Sequence, residues 1–192
     1  MGARTMPVSG GRRKALVLVD LQKEFFVNPG FAAVRALAER KQLLENVRRA
    51  LWTARNKRIP VFFLQVLRRP DYGDFPRAED GPFKEGTEGA ELLDGLVRAE
   101  DFVIPKRRRS GFFGTPLEIY LRAMGVTEVV IGGISTEVGV ESTVRDAWDR
   151  DFEVKVLSDC CATSDSEIDE FVIKRILPAW AQVLTSNDPW DE

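Results

Sequence analysis

Short apolar runs that stop at polar residues, each separated from the next by a longer segment of helical periodicity, constrain this chain more than any other feature. The five residues Ala15-Leu16-Val17-Leu18-Val19 are all apolar, and Asp20 closes them. A run this short, without polar alternation, suits a strand buried on both faces of a parallel sheet. Val34, Leu37, Leu44, Val47, Leu51 and Ala54 then recur at helical intervals and predict one long helix. Residues 61–67 predict a second strand, entered through Pro60, and residues 102–104, 129–131, 154–157 and 181–184 predict four more.

The segments between them read as helices. A short one is expected over residues 90–96. Another opens at the capping box Thr115-Pro116-Leu117-Glu118, with Leu117, Tyr120, Leu121 and Met124 on one face and Gly125 as its stop. Val140, Thr143, Val144, Ala147 and Trp148 share a face of the next. A second capping box, from Ser164 to Glu167, opens the last, which carries Ile168, Phe171 and Val172. Residues 68–87, rich in Pro, Gly, Asp and Arg, read as a long loop. Strand and helix thus alternate without internal repeats. The expected fold is α/β, a three-layer α/β/α sandwich around a roughly six-stranded parallel Rossmann-like sheet with right-handed crossovers. A chain of 192 residues is enough for one such core and too short for two ordinary ones. The domain is expected over residues 15–192, behind a flexible tail at 1–14.

Composition excludes several classes of function. Lysine and arginine number 28 against 30 acidic residues, so the net charge of -2 gives no basic excess for nucleic acid. No apolar run approaches membrane-spanning length, and the run at 15–19 is too short for a signal peptide. The two cysteines, Cys160 and Cys161, are adjacent and poorly placed to bridge each other, which fits a reducing, cytoplasmic setting. The chain has no histidine. That removes His-based triads, His-ligated metals and the usual general base near neutral pH.

In folds of this kind the site lies beyond the carboxyl ends of the strands. Asp20, Lys106 and the segment Gly132–Gly139 all follow strands there. A partly desolvated aspartate at such a position is tunable for proton transfer. Lys106 closely follows a strand and would stabilise a carboxylate or a developing oxyanion. Its neighbours Arg107 and Arg108 read as a solvated basic turn. The glycine-rich turn at 132–139 packs strand against helix and offers backbone amides to an anion. Gly111-Phe112-Phe113-Gly114 lacks the ending of a phosphate loop. Cys160 and Cys161 read as packing residues.

These segments resemble the isochorismatase-like hydrolases, a group that includes nicotinamidases, ureidoacrylate amidohydrolases and isochorismatases. Residues 17–26, Val-Leu-Val-Asp-Leu-Gln-Lys-Glu-Phe-Phe, are similar to the family's opening motif, and Lys106-Arg107-Arg108-Arg109-Ser110-Gly111-Phe112 to its lysine motif. Residues 133–147 are similar to its third and most specific signature. The resemblance implies catalytic roles at Asp20, Lys106 and position 139. It further implies substrate-binding roles at Gln22, Phe26, Ser110, Phe112, Ile134, Ser135 and Thr136, and a cis peptide at Ile134–Ser135. It implies a small-molecule substrate and a homodimer or homotetramer; with no histidine in the chain, no cofactor is expected.

In cysteine-using members the aspartate deprotonates a thiol at the third position and the thiolate attacks an amide. Here that position is Gly139, as it is in true isochorismatases, where the aspartate instead protonates a vinyl ether and water completes the reaction. Glycine at 139 is expected to leave the space of one side chain for water or substrate. The run Ser135-Thr136-Glu137 is closer to the amidases, and the Asp/His metal cluster that nicotinamidases carry near residues 65–85 has no histidine to form it. Three readings stand: vinyl-ether hydrolysis by Asp20 acid–base chemistry on a small carboxylate, C–N hydrolysis with the cysteine replaced, and an inactive binding homologue.

Overall fold

All six predicted strands form and join one parallel sheet. The computed structural model describes residues 13–74 and 81–192. The tail reading therefore lies outside the described residues up to residue 12, as does the part of the predicted loop at 75–80. In chain order the elements are β1 (Lys14–Val19), a single-turn α1 (Glu24–Val27), α2 (Ala32–Arg40), α3 (Leu43–Asn56), β2 (Val61–Val66), β3 (Phe102–Lys106), α4 (Leu117–Ala123), β4 (Glu128–Ile134), α5 (Glu141–Trp148), β5 (Glu153–Ala162), α6 (Ser166–Phe171) and β6 (Gln182–Leu184). The sheet order is β3-β2-β1-β4-β5-β6. The order reverses between β1 and β4, and at such a switch point the loops diverge and leave a crevice.

Side chains alternate across a strand with a period of two. In β1 this sends Ala15, Val17 and Val19 into one core and Leu16 and Leu18 into the other. The first core is closed by Leu117 and Leu121 of α4 and by Val144 and Ala147 of α5. The second is closed by α2 and α3 through Val34, Leu37, Val47, Leu51 and Ala54. Helices therefore cover both faces, which gives the three layers expected. Among the described residues no helix is long and apolar enough to cross a membrane.

The structure departs from the sequence reading in its details. The periodic stretch from Val34 to Ala54 is two helices, because Gln42 takes a left-handed backbone (φ 53°) and breaks the axis. The change of direction makes Leu43 rather than Leu44 the fully buried residue. Residues 90–96 form no α-helix; a short 3-10 turn at Glu88–Ala90 stands there instead. The last helix is capped by Asp165, whose side chain accepts from the amides of Glu167 and Ile168, and not by Ser164. Ile168 and Phe171 face outward. The fifth strand runs on to Ala162, so Cys160 and Cys161 lie within it and not after it.

Gly133 decides how closely the two strands at the switch point approach. A β-carbon there would sit 2.1 Å from the carbonyl oxygen of Val19, and its φ of 138° lies in a region that favours glycine. Any side chain would push β4 off β1 at the point where the site is built.

Candidate active site

Asp20 is the first residue past β1 and takes a φ of 52°. A non-glycine residue in that region carries strain of order 1–3 kcal/mol, which the surrounding structure must hold in place. Its amide still donates to the Leu64 carbonyl at 2.9 Å, so it stays tied to β2. The carboxylate then spans two partners. Oδ1 accepts from the Val66 amide at 3.0 Å, and Oδ2 lies 2.7 Å from Nζ of Lys106. Lys106 ends β3, two strands away, and its long side chain reaches Asp20 across the end of β2, where Val66 and Lys106 are in register. Both side chains are almost closed to solvent. Burial raises the Asp20 carboxyl from 3.8 to about 6, while Lys106, the Val66 amide and Arg68 pull it back. Desolvation wins over the lysine, so a protonated form is within reach near neutral pH.

Position 139 lies against the same carboxylate. The peptide Ile134–Ser135 is cis, as the family resemblance implies. The chain then makes one wide helical turn, Thr136–Val140, that leads into α5. A β-carbon at Gly139 would lie 3.2 Å from Oδ2 of Asp20 and 2.9 Å from Cγ1 of Val19. The convergence expected from three separate segments is therefore present. The open space expected at Gly139 is not, because the fully buried Val19 side chain occupies it. Two amides of the turn, from Val138 and Val140, donate to the Ser135 carbonyl and are thereby used within the turn.

The residues expected around the substrate divide. Gln22 is fully buried and spends its amide on backbone: Nε2 donates to the carbonyls of Val66 (2.8 Å) and Ala90 (2.7 Å), and Oε1 accepts from the Val66 amide. It braces the end of β2 and has no group left for a ligand. Phe112 lies in the core against Phe152, with ring centroids 5.8 Å apart, so its apolar ring has been used for packing. Thr136 is fully buried and its hydroxyl donates to Asp169 of α6. Ile134 is a core residue. Ser110 is buried and accepts from the Phe112 amide at 3.1 Å, which shapes the loop after β3. Ser135 and Phe26 are half-buried and keep part of their surface exposed. Burial drives the Cys160 thiol well above its usual range and pushes Cys161 up to about 12. Neither is a thiolate, in line with a packing role.

Three features went unread in the sequence. Thr143 is fully buried; its hydroxyl donates to the Gly139 carbonyl at 2.7 Å and accepts from the Gly111 amide at 2.9 Å. It clamps the signature turn to the lysine loop. Its spacing of four from Gly139 was the available signal, but the residue read as one more core-facing position. Asp169 joins Thr136 to Lys41 (2.8 Å) and so fixes the turn from its far side. Arg68 acts electrostatically on Asp20 from just beyond β2. Its place just beyond the end of β2 was the available signal.

Among the described residues no group of three or more Cys, Asp or Glu side chains gathers where a metal ion could be held. Turnover is expected to be unchanged by a strong chelator. Loss of activity in chelator, recovered on adding zinc, would contradict this.

The fold and site define an α/β protein whose Rossmann-like sheet carries a buried aspartate–lysine pair at its switch point. Residues 14–188 match the isochorismatase domain, and the chain belongs to the isochorismatase family. It is an isochorismatase-family hydrolase. It is 34% identical over 171 residues to a probable inactive nicotinamidase of Arabidopsis thaliana, covering 82% of this chain and 84% of the relative. It is 31% identical over 181 residues to a ureidoacrylate amidohydrolase of Methylorubrum extorquens, covering 82% and 73%. The solved N-carbamoylsarcosine amidase of Thermoplasma acidophilum is 29% identical, with a TM-score of 0.74 over 92% of this chain and 98% of that one.

Proposed function

We propose that this protein hydrolyses a small carboxylate-bearing metabolite through acid–base catalysis by Asp20, without a cysteine nucleophile, and that an isochorismate-type vinyl ether is the preferred bond. The observation that carries this reading is the position of Gly139: its α-carbon stands beside a buried carboxyl that titrates near 6, and it offers no nucleophile. Protonated Asp20 gives its proton to the enol-ether carbon. The oxocarbenium ion so formed takes up water, and the resulting hemiketal breaks its C–O bond to release an alcohol and a ketone. Lys106 stabilises the Asp20 carboxylate left behind, and a proton from the water restores the acid. The lysine disfavours the acid form, but the burial that lifts Asp20 to about 6 outweighs it.

Asp20→Asn keeps the shape of the side chain and removes the proton. We expect turnover to fall by about 10²–10⁴-fold with the fold unchanged by circular dichroism. A variant that keeps the parent rate makes Asp20 a structural residue.

A second reading is favoured by the amidohydrolase and amidase relatives and by the run Ser135-Thr136-Glu137. In it the protein is a C–N hydrolase scaffold in which glycine replaces the cysteine at 139. Pyruvate release from isochorismate by the parent supports the first reading, ammonia release from a panel of amides by Gly139→Cys supports the second, and silence of both proteins in both assays favours a binding homologue. We further place the protein in the cytoplasm, a setting supported by two free, buried thiols. A homodimer or homotetramer acting without nucleic acid, membrane or cofactor rests on the family resemblance and composition.

A further inference from the structure

The rim of the site beside Lys106 gathers more positive charge than the Asp20 pair uses. β2 and β3 end side by side, and the Leu67 amide continues the pairing to the Lys106 carbonyl at 3.0 Å. Arg68 and Arg107 therefore leave the sheet at the same edge. Nη1 of Arg68 donates to the Arg107 carbonyl at 2.6 Å, and Nη1 of Arg108 donates to the same oxygen at 2.9 Å. Two guanidinium groups thus stand within two hydrogen-bond lengths of each other. Nζ of Lys106 adds a third cation to this loop through the Arg108 carbonyl, at 3.1 Å.

The arrangement costs energy as it stands. The Arg68 guanidinium is held below its ordinary range, first by burial and then by repulsion from Arg108 and Arg107, against the attraction of Asp74. Arg107 pairs with Glu85 through Nη2 at 2.8 Å, yet its Nη1 is buried without a hydrogen-bond partner. A buried donor without an acceptor is unfavourable, because it has lost its water and gained no partner. Among the described residues, Asp20 pairs with Lys106, Asp74 acts on Arg68 and Glu85 pairs with Arg107. The sequence reading of Arg107 and Arg108 as a solvated turn does not account for a shared carbonyl acceptor or a buried, unpartnered nitrogen.

We propose that Arg68, Arg107 and Arg108 form a carboxylate subsite at the ends of β2 and β3, which holds the anionic end of a small organic substrate while its reacting bond lies over Asp20. The inference rests on the reading of Asp20 as the acid above. Planar guanidinium forks match a carboxylate with two parallel hydrogen bonds. A bound anion also has a consequence for the acid. Among the described residues, the charges acting on Asp20 are Lys106 from β3 and Arg68 from beyond β2, while the β4–α5 turn meets it with uncharged Gly139. An anion on Arg68 offsets one of the two cations that hold the carboxyl down, so binding draws a proton onto Asp20 and arms the acid only when the site is filled.

The test uses malonate as probe and its diamide, malonamide, as the neutral control, followed by calorimetry at pH 7 in buffers of different ionisation enthalpy. Malonate is expected to bind saturably with proton uptake, and malonamide not to bind. Arg107→Gln/Arg108→Gln is expected to weaken malonate at least tenfold, and Arg68→Gln to reduce the proton uptake as well. Arg48→Gln, on the exposed face of α3, removes the same charge elsewhere and is expected to change nothing. Thermal melts of every variant establish that each is folded. Unaltered malonate affinity in the folded double variant, an equal loss in Arg48→Gln, or no saturable binding to the parent would each overturn the subsite. Tighter binding of inorganic phosphate than of malonate would overturn the carboxylate class. Asp20→Asn is expected to bind malonate within threefold of the parent. The subsite is thus judged by binding alone, and the catalytic reading by turnover of that same variant.

Discussion

If the protein hydrolyses a vinyl ether as proposed, the kcat/KM of the free enzyme is expected to be flat below about pH 6 and to fall tenfold for each unit above it. The sign follows from Asp20. Its carboxyl titrates at about 6, so the proton-donating form dominates below that pH and is lost above it. If the protein is instead a C–N hydrolase in which Asp20 acts as a base, the same group gives the opposite limb, with the rate rising up to about 6 and then levelling. Because the two limbs slope in opposite directions, a profile from pH 4.5 to 8.5 decides between them over several decades of rate. A profile without an inflection between 5 and 7 would remove Asp20 from both mechanisms. Stability should follow the same proton. Folded Asp20 holds it to about pH 6, whereas the unfolded carboxyl releases it near 3.8. The stability contributed by this group is full below 3.8 and lost as pH rises through 6.

The thiol introduced by Gly139→Cys is expected to react with iodoacetamide at least a hundredfold faster than Cys160 or Cys161. The new β-carbon stands 3.2 Å from the Asp20 carboxylate that Lys106 holds, so a base and a cation are both at hand to make and stabilise a thiolate. The two native thiols are buried and held in the neutral form. The substitution has a structural cost, because Cγ1 of Val19 lies 2.9 Å from that β-carbon and must move. Overpacking of this kind costs about 1–3 kcal/mol, which a thermal melt should register. Val19→Ala in the same chain gives back the room and keeps the test meaningful if the single variant is too unstable. On rate, the two functional readings again part. A vinyl-ether hydrolase should slow as the thiol crowds the reacting carbon, whereas a C–N hydrolase scaffold should gain amide hydrolysis. A thiol inert in both variants would mean that position 139 is outside the site.

The fold was legible because its signals are local. Five apolar residues without a polar interruption, closed by Asp20, are enough to mark a strand buried on both faces, and alternation with helical periodicity leaves few architectures besides a parallel α/β sheet. Where the local signal was a cap or a helix break, the sequence misled. Asp165 took the cap assigned to Ser164, and Gln42 broke a periodicity that continues across it. A left-handed residue leaves hydrophobic spacing intact while turning the axis, so spacing alone does not detect it.

The site divides along the same line. Which residues converge at the candidate site was legible in the sequence, because Asp20, Lys106 and Gly139 lie at or beyond strand ends, and the carboxyl ends of parallel strands share one rim. What each neighbour does was decided only by tertiary structure. Gln22, Phe112 and Thr136 sit in motif positions, yet their side chains are committed to the backbone of β2, to Phe152 and to Asp169. Arg68 and Arg108 lie 40 positions apart in the chain and meet at one carbonyl oxygen. The physical reason is that composition and periodicity fix which face a residue presents. Burial and hydrogen-bond partners, which set a carboxyl near 6 or spend an amide on packing, depend on contacts between segments distant in sequence.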